Sequence, residues 1–130
     1  MRESVLRGAL AVVFGATLMT SPALAKAPRV ASINVCTDQL LLALADPEQI
    51  VGLSPYSRDA ARSWAAREAS KFPLLSGEAE DVLVLKPDVV VAGRFTKRAT
   101  RELLKEKSLR VVEFDAARTI DDVRVQIRRM

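Results

Sequence analysis

Leu85-Lys86-Pro87-Asp88-Val89-Val90-Val91-Ala92 is the stretch on which the fold turns. Pro87 cannot continue a helix, because its ring removes the amide hydrogen and crowds the preceding turn. Behind it come three consecutive valines, without the alternation of a strand that shows one side to water. Such a run reads as a strand covered on both faces, the setting of a parallel sheet. What precedes Pro87 reads as a short helix over Glu78 to Leu85. Glu78, Glu80 and Asp81 open it, and their carboxylates suit the positive end of its dipole.

Working outward, three more runs rich in valine and isoleucine appear: Arg29 to Ile33, Ile50 to Leu53 and Arg110 to Phe114. Each is followed by a stretch of helical character. Thr37 or Asp38 can cap a helix through Leu40 to Leu44, apolar nearly all round and so expected to be buried, which Asp46-Pro47 ends. A second helix is expected from Asp59 to Ser70, with Ala60, Ala61, Trp64 and Ala65 on one stripe. A fourth, Thr96 to Lys107, turns Leu103 and Leu104 inward and a basic face outward. Thr119 to Asp122 fits a capping box, after which Ile120, Val123, Ile127 and Met130 fall on one helical face. Strands alternating with helices argue for βαβ units. The expected fold is α/β, a Rossmann-like lobe with a four-stranded parallel sheet flanked by helices.

Residues 1–25 are of another kind. Arg2 and Arg7 make a basic start, Gly8 to Met19 is almost entirely small or apolar, and Ser21-Pro22-Ala23-Leu24-Ala25 ends in a small-x-small pattern. That is the layout of a secretory signal cleaved after Ala25. An apolar run of about 12 residues falls short of the ~20 that span a bilayer, so no membrane insertion is expected after cleavage. The lone cysteine, Cys36, lies too far from the cut to carry a lipid and cannot form an internal disulfide. Residues 26–118 are then a ligand-binding lobe. Residues 119–130 begin a helix whose stripe has no stop signal, which suggests that a linker and a second lobe would follow.

Several chemistries are excluded by composition. The 130 residues contain no histidine, which rules out Ser-His-Asp, Cys-His and zinc-histidine sites. The five glycines, at positions 8, 15, 52, 77 and 93, cannot write either phosphate-cradling loop motif. Arg94 to Arg110 is basic, but Glu102 and Glu106 interrupt it at helical spacing, so it reads as a solvated face and not as a nucleic-acid surface. Asp115, at a strand end, is the one enzyme-like feature. It would need converging acidic or lysine partners to support a small metal-dependent hydrolase.

In an open parallel sheet, ligands sit beyond the carboxyl ends of the strands. The loops there are Asn34-Val35-Cys36-Thr37, Ser54-Pro55-Tyr56-Ser57-Arg58, Gly93-Arg94-Phe95-Thr96 and Asp115-Ala116-Ala117-Arg118. Rings, hydroxyls and guanidinium groups of this kind can stack on a bulky ligand and bond its polar rim. Plainer roles stand beside these: Tyr56 with its hydroxyl in water, Cys36 as a small buried loop residue, and Arg94 as a solvated cap.

The order of elements and three stretches, Arg29 to Leu40, Ile50 to Ser54 and Leu85 to Ala92, resemble the periplasmic binding proteins of the cobalamin, ferric-siderophore and haem class. The resemblance covers residues 29 to 128. It implies a non-enzymatic, monomeric periplasmic protein that passes a small-molecule metal chelate to the permease of an ABC importer. Two lobes joined by a long helix would hold the ligand between them. No cofactor would be bound covalently; the ligand would be a cobalt corrinoid or a ferric chelate. Tyr56, Arg94 and Phe95 would touch it, with Asn34, Cys36 and Thr37 lining the floor. Glu80, with its neighbour Glu78, matches the family's permease-docking glutamate. Haem-binding relatives often carry an iron-ligating tyrosine before that helix, where this chain has Phe72-Pro73-Leu74-Leu75-Ser76, and this points away from haem. A lobe acting alone as a permease-docking or adaptor module is the alternative.

Overall fold

The computed structural model describes residues 26–130, and the signal expected over residues 1–25 lies outside them. Strands β1 (Val30–Ser32), β2 (Ile50–Gly52), β3 (Val89–Gly93) and β4 (Arg110–Phe114) form one sheet in the order β2-β1-β3-β4. All its pairings are parallel, with Val30 opposite Val89 and Val89 opposite Arg110. Helices α1 (Val35–Leu44), α2 (Ala66–Ala69), α3 (Ala79–Leu85), α4 (Arg98–Glu106) and α5 (Ile120–Arg129) connect and follow the strands.

Because successive strand residues face opposite ways, each strand feeds two cores. Ala31, Ile33, Val90 and Ala92 point into one, with Val82 of α3 and Leu104 of α4. Val30, Ile50, Val91 and Phe114 point into the other, with Leu41 of α1. Val90 and Ala92 are completely buried, and Val91 nearly so. The valine run therefore lies in the covered strand that its sequence predicts.

The helix following β2 departs from expectation. Residues 55–65 run through turns, and regular helix is limited to α2. Trp64, expected on an inward stripe, is 77% exposed, whereas Ala65 is buried. The stripe is otherwise alanine, which removes too little apolar area from water to hold an amphipathic helix down. Leu53 instead pairs with Leu74, adding a short parallel bridge beside β2 and carrying the chain back to the strand ends at Ser76.

α1 also differs in detail. Its cap is Asn34, whose side chain accepts the Cys36 amide at 2.9 Å, so the helix starts earlier than Thr37. Thr37 and Asp38 consequently lie within the first turns and face the sheet, fully buried beside Leu41. Leu44 is left about half exposed, so the helix is buried on one side only. α5 keeps its expected capping box at Thr119 and Asp122, while Ile120 and Ile127 remain exposed.

Candidate functional site

The carboxyl ends of β1, β2 and β3 open onto a groove of about 320 Å³. Asn34 comes from the end of β1, Tyr56 from the loop after β2, and Phe95 and Lys97 from the loop after β3; Ser76 and Gly77 close one side. Tyr56 is 50% exposed and Phe95 is 83% exposed, so both rings present their area to whatever enters. A smaller hollow of about 70 Å³ adjoins it, lined by Asn34, Cys36, Thr37, Arg94, Phe95 and Asp115. Asn34 and Phe95 line both. All six residues expected at the ligand thus lie along one continuous edge of the sheet.

Close backbone approach shapes this edge. A Cβ added at Gly93 would stand 2.6 Å from the Asn34 side-chain nitrogen, so glycine here lets β3 pass directly beneath the cap of α1.

The polar residues differ in what they have left to offer. The Thr37 hydroxyl is occupied, donating to the Asn34 carbonyl at 2.9 Å and sharing a hydrogen bond with the Ser32 hydroxyl at 2.8 Å. Cys36 is exposed, against its reading as a buried loop residue, because the early start of α1 turns it outward. Arg94 pairs with Asp115 at 3.0 Å, with both side chains 66% exposed. Asp115 is therefore matched by a cation, and among the described residues no group of three or more His, Cys, Asp or Glu could hold a metal ion. Glu78 is ion-paired with Lys97 across the groove mouth, and that pairing raises the lysine's pKa. Glu80 stays exposed on the first turn of α3.

Three features of the site escape a reading of residue types. The Arg62 guanidinium stacks over the Tyr56 ring, 4.4 Å from its centroid, and covers one of its faces. The Trp64 amide donates to Gln39 Oε1 at 3.2 Å, tying the loop to α1. Asp38 accepts the Ser54 amide at 3.1 Å and the Ser54 hydroxyl. Burial pushes the Asp38 carboxyl up to about 6, and the hydrogen bonds from Ser54 offset only part of that. The one available clue was a carboxylate just inside an otherwise apolar helix.

Outside this edge, a mainly apolar groove of about 230 Å³ lies against the sheet between Leu44 of α1 and Met130. Among the described residues, no helix is long and apolar enough to cross a membrane.

Among solved structures, the chain is similar to a periplasmic heme-binding protein from Pseudomonas aeruginosa, at 18% identity and a TM-score of 0.66, over 78% of this chain and 36% of that one. It is also similar to the periplasmic heme-binding protein BhuT in complex with two hemes, at 24% identity and a TM-score of 0.59, over 76% and 38%. The periplasmic vitamin B12-binding protein BtuF of Vibrio cholerae follows, at 20% identity and a TM-score of 0.54, over 74% and 37%. The chain thus spans well under half the length of these proteins, and the likeness is one of fold. No curated protein matches it. The family model described as periplasmic binding protein matches residues 30–130, from the first strand through the last helix, and the chain belongs to that family.

Proposed function

We propose that this lobe is one wall of a periplasmic binding site for a large metal chelate destined for an ABC importer. The observation that carries the reading is the shared groove: Asn34, Tyr56 and Phe95, from three different strand ends, line one opening. Aromatic faces flanked by hydrogen-bonding groups suit a broad, partly apolar ligand with a polar rim. The role is binding, not catalysis, and Arg94, Cys36 and Thr37 extend the wall.

Cobalamin and ferric siderophores are the ligands proposed from the sequence. Haem joins them, since two of the neighbouring structures are named as heme-binding proteins and Tyr56 stands in the groove. The neighbours' greater length supports a second lobe closing the opposite side, with residues 119–130 leading toward it. One wall desolvates only part of such a ligand, so the lobe alone binds weakly. Glu80, with Glu78, is the proposed contact with the permease.

The test is titration of the chain, and of a two-lobed form, with cobalamin, cobinamide, ferric siderophores and haem, following Trp64 fluorescence. Binding to one class, weakened at least tenfold by Tyr56→Ala, is expected. A two-lobed form that binds none of them would remove the proposal.

A further inference from the structure

Two consecutive residues of α1 hold the loop that carries Tyr56 by both of its ends. Asp38 accepts the Ser54 amide at 3.1 Å through Oδ1 and the Ser54 hydroxyl through Oδ2. Gln39 Oε1 accepts the Trp64 amide at 3.2 Å, while its Nε2 donates to the Val35 carbonyl and fixes the side chain along α1. Between these two points the chain forms turns without helix or strand.

What the loop lacks makes these ties decisive. From Pro55 to Trp64 no apolar side chain is buried. The buried side chains there are Ser57 and Ser63, and their hydroxyls have no hydrogen-bond partner. Apolar burial, the main force that fixes a segment to its core, is therefore missing. A further link, from Arg58 Nη2 to the Phe72 carbonyl at 2.7 Å, lies at the exposed surface, where water competes for it.

Inside the loop the parts are joined to one another. Asp59 accepts the Ala61 amide at 2.9 Å and pairs with Arg62 Nε at 3.1 Å, and the Arg62 guanidinium stacks on the Tyr56 ring. Tyr56, Asp59 and Arg62 thus form a unit whose place is set from the loop's ends. The helix that holds those ends is capped by Asn34, which lines the same groove as Tyr56.

We propose that Asp38 and Gln39 are positioning residues for ligand binding. Neither lines the groove or the adjoining hollow; together they hold the Tyr56 unit against the helix that supplies Asn34, so that the wall is formed before a ligand arrives. The proposal rests on the proposed function only in giving that wall a ligand. A preformed wall spares the ligand the entropy of ordering the loop. Freeing one end returns that cost to the binding step, and affinity is expected to fall about tenfold.

Amide hydrogen exchange of the ligand-free chain reads the positioning directly. In Asp38→Ala and in Gln39→Ala, amides between Tyr56 and Ser63 are expected to exchange about tenfold faster, with Val90 and Val91 of β3 unchanged. Asp38→Asn keeps both bonds, its carbonyl oxygen accepting the amide and its NH2 donating to the hydroxyl, and is expected to restore slow exchange. Unchanged loop exchange in both alanine variants, or equal acceleration at Val90 and Val91, overturns the positioning role. Should Asp38→Ala fail to fold, Gln39→Ala, at a half-buried side chain, decides alone. Haemin and dicyanocobinamide, titrated against the chain and a two-lobed form, read the consequence. The probe that binds should bind about tenfold more weakly to Gln39→Ala, and undiminished binding also overturns the proposal. Loop exchange that responds as expected, with neither probe bound by either form, removes the chelate-binding function and leaves Asp38 and Gln39 as the anchors of the loop.

Discussion

Arg94 at the end of β3 reaches Asp115 at the end of β4, with Nη1 3.0 Å from Oδ1. The pair joins two strand-end loops and uses up the carboxylate on which a hydrolytic reading would depend. At this exposure an ion pair contributes at most about 1 kcal/mol, because water screens both charges. Asp115→Ala is therefore expected to shift urea unfolding by no more than that. No phosphate-ester hydrolysis that depends on Asp115 is expected with magnesium or manganese present.

Gly93→Ala should be far more disruptive than its size suggests. The new methyl would force Asn34 off its position and with it the cap of α1. Loss of such a cap costs about 1 kcal/mol, and rearrangement of the strand adds to this. Thermal unfolding measures the first effect. Weakened chelate binding, through displacement of Asn34 and Phe95, measures the second.

Asp38 gives the fold a pH dependence opposite to that of a salt-bridged carboxylate. Its proton is bound more tightly in the folded state than in the unfolded one, so its contribution is complete below pH 3.8 and is lost as pH rises through about 6. The total is on the order of 3 kcal/mol for a shift of this size. Exposed carboxylates such as Asp81 and Asp122, held low mainly by hydrogen bonds from Ser76, Arg118 and Thr119, work in the other direction. The difference in unfolding free energy between the unmodified chain and Asp38→Asn isolates the Asp38 term. It should favour the variant increasingly between pH 4 and pH 7.

Lys86 ends α3 with φ 47°, a left-handed conformation that glycine adopts without strain. Its carbonyl accepts from Arg29 Nη1 at 2.9 Å, a contact that any residue keeps. Lys86→Gly is expected to stabilise the lobe by up to about 1 kcal/mol in chemical denaturation, net of the extra freedom glycine gives the unfolded chain.

For permease docking, Glu78 and Glu80 should behave differently. Glu80→Lys is expected to weaken association with little change in stability. Glu78→Lys also removes the partner of Lys97 and places two cations together at the groove mouth. Co-purification of the chain with the proposed importer permease distinguishes them, and unaltered association of the double variant would remove the docking proposal.

The sheet was legible because its signal is long and redundant. The three valines after Pro87 allow one register of burial, and the other strands repeat the same βα spacing. The segment after β2 was not legible, because alanine fits a helix yet buries too little to enforce one, and the actual ties, Ser54 to Asp38 and Trp64 to Gln39, join residues distant in sequence. The capping error at α1 has the same origin. Asn34, Thr37 and Asp38 are all competent caps, and the choice among them was made by which side chains could face the sheet. Thus the strand-end residues could be gathered from sequence alone, while the cation on Tyr56 and the dry carboxylate below it required geometry.

The central pairing of β1 with β3 brings together positions nearly sixty residues apart, as the bond between Arg29 and Asp88, 59 residues distant, makes plain. Closing so large a loop is slow compared with forming local structure. The middle of the sheet therefore waits for residues as late as Gly93, whereas α1 needs only its neighbours to begin, so the lobe's local helices can precede the frame they will pack against.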